Sequence, residues 1–116
     1  MHDSQRQFAG CPSGNKITNG DTWLRDFMQR IYATPQWAAG NTVVFITWDE
    51  GIKRLASPED SHVTTIVVAP SVVPGTQDGT AWTHYSLLNT VEGLLGQPCL
   101  ANACGAGDMS MSFYLR

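Results

Sequence analysis

Residues 43–51 read VVFITWDEG: a run of β-branched and aromatic residues, then two adjacent carboxylates. Val43, Val44, Phe45, Ile46, Thr47 and Trp48 have the composition of a strand covered on both faces, as in the parallel sheets of α/β proteins. In such sheets ligands and catalytic groups gather just beyond the carboxyl ends of the strands. Asp49 and Glu50 stand at that place, and Gly51 permits the bend that would turn two neighbouring side chains toward one point. Hard oxygen donors of this kind suit Mg²⁺, Ca²⁺ or Mn²⁺, and a carboxylate also serves Zn²⁺. The same three residues equally suit a solvated turn after a strand.

Outward from this stretch, the pattern alternates helix and strand. HVTTIVVAP (62–70) is a second buried run, ended by Pro70. On the N-terminal side the pattern predicts a helix over 22–32, with Asp21 as N-cap. Trp23, Leu24, Phe27, Met28, Ile31 and Tyr32 form its apolar stripe. The first twenty residues read as irregular loop, and ATPQWAAGN (33–41) breaks the helix before the strand. EGIKRLASPEDS (50–61) is a polar connection and SVVPGTQDGTAW (71–82) a loop with two turn signals. THYSLLNTVEGLLG (83–96) is a second helix, with Thr83 as N-cap and Gly96 as C-cap. His84, Leu87, Leu88, Val91, Leu94 and Leu95 form its expected inner face, and MSMSFYL (109–115) a short final strand. The order αββα fits part of an α/β sandwich. There are no internal repeats.

With 116 residues the chain has room for one domain, small for an α/β enzyme. The net charge is −3, and its seven Lys and Arg are scattered, which argues against a nucleic-acid partner bound through its phosphate backbone. No apolar run approaches the ~20 residues of a transmembrane segment. MHDSQRQFAG has neither the basic start nor the apolar centre of a signal peptide. The three cysteines, Cys11, Cys99 and Cys104, leave at least one without an intrachain partner. A bridge between Cys99 and Cys104 is geometrically feasible, and free thiols are equally compatible with the count.

Three histidines complete the candidate chemistry. His84 opens the second helix, where free N–H groups and the helix dipole attract phosphate; it could donate to a phosphoryl oxygen or ligate a metal. It could also be a core histidine satisfied by a backbone carbonyl. His62 opens the second strand; it lies far from Asp49 if the strands are parallel and near it if they are antiparallel, and a structural role is the expectation. His2 and Asp3 sit in a terminal MHD, where ligand, substrate contact and frayed end are all open. No G-x-S-x-G elbow, S-x-x-K, C-x-x-C, H-E-x-x-H, phosphate-binding loop, dinucleotide fingerprint or EF-hand spacing is present.

Taken in order, MHD, GDTWL, VVFITWDEG, TTIVVAPSVVPGT and THYSLLNTVEGLLGQPCLANA resemble the C-terminal part of a bacterial phosphoesterase family with phospholipase C, acid phosphatase and phosphatidylinositol-3-phosphatase members. That family belongs to the alkaline-phosphatase-like superfamily of metal-dependent hydrolases. The resemblance runs from Met1 to about Ala103. It implies an α/β sandwich with helices on a mainly parallel sheet, here the C-terminal segment of one phosphoesterase domain lacking its N-terminal half. It implies a divalent metal held by Asp49 and Glu50. His84 and His2 would be catalytic, and His2, Asp3 and His84 would contact a phosphate mono- or diester, with phospholipid or phosphoinositide substrates among the options. The family's N-terminal region, with an acidic residue, an Asn and a Ser or Thr nucleophile, has no counterpart in these residues, so the chain alone is expected to be inactive. An uncovered sheet edge would then favour self-association, and the family's habit of export implies a secreted or periplasmic location. Two other readings stay open: a non-catalytic α/β remnant or binding module with a residual divalent-metal site, and a related sulfatase or phosphonate hydrolase.

Overall fold

The computed structural model describes residues 14–51 and 61–115. His2, Asp3, Cys11 and most of the 50–61 connection lie outside the described residues. The chain divides into two compact units, residues 1–39 and 40–116.

The first unit carries α1 (Lys16–Tyr32) and the single-turn α2 (Pro35–Ala38). α1 starts six residues before the position expected from its apolar stripe, because Asn15 caps it. The Asn15 side chain accepts from the N–H groups of Ile17 at 2.9 Å and Thr18 at 3.2 Å. Asp21 is therefore inside the helix and caps nothing. Gly20 costs about 1 kcal/mol inside a helix, a penalty that the cap and the added turn offset. Met28 is buried, while Trp23 and Tyr32 of the expected stripe are exposed. Trp23 stacks on Phe27 one turn later, with ring centroids 5.2 Å apart. After α1, Thr34 caps α2 and Pro35 occupies its first position, where a missing N–H costs nothing.

The second unit carries β1 (Val44–Thr47), β2 (Thr65–Val68), α3 (His84–Leu94) and a 3₁₀ helix (Ala101–Gly105). β1 and β2 pair antiparallel, with Val44 opposite Val68 and Thr47 opposite Thr65. This differs from the mainly parallel sheet expected: among the described residues the sheet is two-stranded and antiparallel. The reason is that β-branched composition reports burial and says nothing of chain direction. The burial is also incomplete, since Thr65 and Ile66, on opposite faces of β2, are both exposed. The Thr47 and Thr65 hydroxyls meet at 2.9 Å across the pair, a cross-strand contact that helps hold the register.

α3 begins at Thr83, as the sequence predicts, with a reciprocal capping box. Ser86 N–H donates to the Thr83 hydroxyl and Thr83 N–H donates to the Ser86 hydroxyl, both at 3.2 Å. It ends at Gly96, whose φ of +64° admits glycine readily. There the Gln97 N–H reaches the Glu92 carbonyl at 2.8 Å and the Gly96 N–H reaches Gly93 at 3.0 Å, the Schellman pattern. Between these ends the buried face is not the leucine stripe. Ser86 and Thr90 are buried, whereas His84, Leu88 and Leu95 are exposed. Polar residues can occupy the inside because each is satisfied: the Thr90 hydroxyl donates to the Ser86 carbonyl and accepts from the Met109 N–H, both at 2.8 Å.

Those bonds fasten the C-terminal segment to α3. The Asn89 amide donates to the Ala106 carbonyl at 2.9 Å, and Glu92 accepts from the Leu100 N–H at 3.2 Å. Cys99 and Cys104 form a disulfide within this segment. Ala103, Met109 and Leu115 are buried there, and Ala69 is buried just after β2. Residues 109–115 form turns instead of the expected strand. Ser112 N–H bonds to the Met109 carbonyl and Leu115 N–H to Ser110, with Tyr114 at φ +54°. No helix of the described residues is long and apolar enough to cross a membrane.

Candidate active site

The carboxyl end of β1 opens into an exposed bend at Asp49 and Glu50. The cap of α3 brings His84 to the same place. Its Nε2 lies 3.1 Å from the backbone carbonyl oxygen of Asp49, a contact between residues 35 apart in sequence. A carbonyl oxygen only accepts, so Nε2 carries the proton in this bond. In the neutral imidazole Nδ1 then holds the lone pair. His84 is thus an exposed ring oriented by a backbone carbonyl, the arrangement by which proteins fix the tautomer of a ligating or proton-accepting histidine.

The antiparallel register adds a second histidine. Because Thr47 faces Thr65, the residues leaving β1 and those entering β2 emerge at one end of the pair. His62 therefore lies at the same end as Asp49, the alternative that the sequence pattern left open. His62 and His84 line one cavity of about 650 Å³. Its other exposed walls include Thr65, Thr80 and Thr83, and its less exposed walls include Val63, Trp82, Leu87, Met109 and Phe113.

One wall is held by Asp78, which the sequence pattern places only within a turn. Its Oδ1 accepts from Thr80 N–H at 2.9 Å and Thr80 Oγ1 at 2.7 Å, and its Oδ2 accepts from the Trp82 indole N–H at 2.8 Å. Donation by the Thr80 hydroxyl, then by Ser112, the Thr80 backbone and Trp82, holds this carboxyl well below the usual carboxylate range. Gly107 completes the arrangement: a Cβ there would stand 2.8 Å from Trp82 Cζ3, so a glycine is needed for the indole to sit where it does. The only hint in the sequence is an Asp-Gly-Thr turn with a tryptophan four residues after the Asp.

The set is partial for a metal centre. Asp49 and Glu50 offer the hard oxygens that a divalent cation takes, but among the described residues no three His, Cys, Asp or Glu side chains cluster closely enough to hold an ion. His2 and Asp3, the other expected site residues, lie outside the described residues.

The sequence profile of the Phosphoesterase family matches residues 9–97. The chain belongs to the Phosphoesterase family. The match includes Asp49, Glu50, His62, Asp78 and His84. Over 93 residues the chain is 32% identical to a phosphatidylinositol-3-phosphatase of Mycobacterium tuberculosis, covering 78% of this chain and 28% of that protein. Over 96 residues it is 29% identical to an acid phosphatase of Aspergillus fumigatus, covering 82% of this chain and 21% of that protein. This phosphoesterase-family chain therefore spans about a quarter of the length of the curated relatives it matches. No solved structure matches it.

Proposed function

We propose that the chain contributes the Asp49, Glu50 and His84 corner of a divalent-metal-dependent centre that hydrolyses phosphate mono- or diesters. The observation that carries this reading is the His84 contact with the Asp49 carbonyl, which joins the start of α3 to the end of β1. Family membership and the phosphatase names of the two relatives support the reaction class. In this reading Asp49 and Glu50 hold the cation, which supplies charge neutralisation at the phosphoryl oxygens when bound. His84, oriented through Nε2, presents Nδ1 to accept or hold a proton at a phosphoryl oxygen.

Further ligands and the nucleophile come, in this proposal, from residues beyond those assigned here, so the 116-residue chain alone turns over poorly. Phospholipids, whose leaving alcohol can be apolar, are the substrate type we favour. The Cys99–Cys104 disulfide supports a secreted or periplasmic location, because such bridges persist in oxidising compartments.

The test needs no turnover. Calorimetric titration of the chain with Mg²⁺, Mn²⁺ or Zn²⁺ should show binding that weakens at least about tenfold in Asp49→Asn and Glu50→Gln, since even the outer-shell partners of a metal cost that much. Inorganic phosphate should bind with the cation present and not without it. Binding of neither ion sinks the reading. Cation binding without phosphate binding favours the second reading, a non-catalytic module with a residual metal site, which the incomplete cluster of ligands also favours.

A further inference from the structure

We propose that the cavity beside α3 is the leaving-group pocket of this centre, and that His62 holds the phosphoryl end of an ester whose alcohol part is uncharged and apolar. The proposal rests on the phosphoesterase reading above and adds a residue and a substrate class to it. His62 enters the site through the antiparallel register, which sets the start of β2 beside the end of β1. It lines the cavity together with His84, so two imidazoles, one just before β2 and one at the start of α3, face one space. An imidazole keeps at least one N–H in either protonation state, so His62 can donate to a phosphoryl oxygen without depending on its titration.

Behind these polar groups the walls are apolar: Val63, Trp82, Leu87, Met109 and Phe113. A volume of about 650 Å³ is that of a small-molecule site. The walls are also built. Trp82 is pinned through its indole N–H to Asp78, and Gly107 leaves room for its ring. Asp78 decides the charge of the occupant. Its oxygens already accept from Thr80 and Trp82, so it holds the wall and does not wait for a ligand. Its negative charge nevertheless faces the cavity and disfavours an alcohol carrying further phosphates. An aryl and an alkyl alcohol share the required chemistry.

The experiment titrates phenylphosphonate, hexylphosphonate and methylphosphonate, none of which can be hydrolysed, into the 116-residue chain with Mg²⁺ present. The readout is the NMR shift of the Trp82 indole N–H. The two apolar phosphonates should bind at least about tenfold tighter than methylphosphonate, since a buried ring or chain is worth that much. His62→Ala should weaken all three about tenfold, the value of a hydrogen bond to a charged group. Leu87→Ala should weaken the apolar pair and spare methylphosphonate. Preference for phenyl identifies an aryl alcohol, and preference for hexyl an alkyl one. Equal affinity for all three, or no change in His62→Ala, overturns the proposal. Cation binding at Asp49 without apolar selectivity removes the pocket alone. Apolar selectivity without cation binding removes the phosphoesterase reading and, with it, the leaving-group role.

Discussion

Asp78 and Thr90 are the two polar side chains on which most of the second unit's local order converges. Asp78 is ionised well below the ordinary carboxylate value of 3.8, because the donors of Thr80, Ser112 and Trp82 stabilise its charge. A depressed folded value means the group's stabilisation is complete above the unfolded value and is lost as pH falls through it toward the folded one. Unfolding midpoints measured from pH 6 down to pH 2 should therefore fall below about pH 4. Asp78→Asn should be less stable at pH 6 and flatter across that acid range. Thr90 is fully buried, and its hydroxyl is the partner of the Met109 N–H. Thr90→Val should cost about 1–3 kcal/mol in urea unfolding, because it strands a buried N–H. An unchanged midpoint would show that another group can satisfy that N–H.

Among the elements, α3 is the one that assembles the site, since its first residue is His84 and its cap sets the ring's position. Thr83→Ala removes one half of the capping box and should destabilise the unit by about 1 kcal/mol. The His84 ring resonances should also shift, because the first turn that carries the ring loses its anchor. A midpoint change with unmoved His84 resonances would separate helix stability from site geometry. Both ends of α3 were legible in the sequence, because Thr83 and Gly96 act within a few residues of their own positions. Its buried face was not. Leucine spacing pointed inward through Leu88 and Leu95, yet Ser86 and Thr90 are inside, because hydrogen bonds to Thr83 and Met109 make their burial inexpensive.

At the scale of the whole molecule, the described residues of the second unit form a two-stranded sheet, with Ile66 exposed on it and Tyr85, Leu88 and Leu95 exposed along α3 and its C-terminal end. Sheets of two strands are marginal without further cover, and an open edge pairs readily with another chain. We propose that the chain self-associates through this sheet. Sedimentation velocity over a tenfold or greater concentration range should show a rising average mass, and a single monomer species throughout would refute it. What the sequence by itself determined was local: the strand-like runs, the caps of α3, the acids at the end of β1 and the motif order that resembles a phosphoesterase. Those signals act through a residue's own backbone and near neighbours. Only the tertiary structure decided that β1 and β2 run antiparallel, that His62 and His84 line one cavity, and that Asp78 anchors Trp82 against Gly107. Each of these depends on which distant segments pack together, β1 on β2, the start of β2 beside α3 and Trp82 on Gly107, and burial patterns along the chain carry no record of that choice.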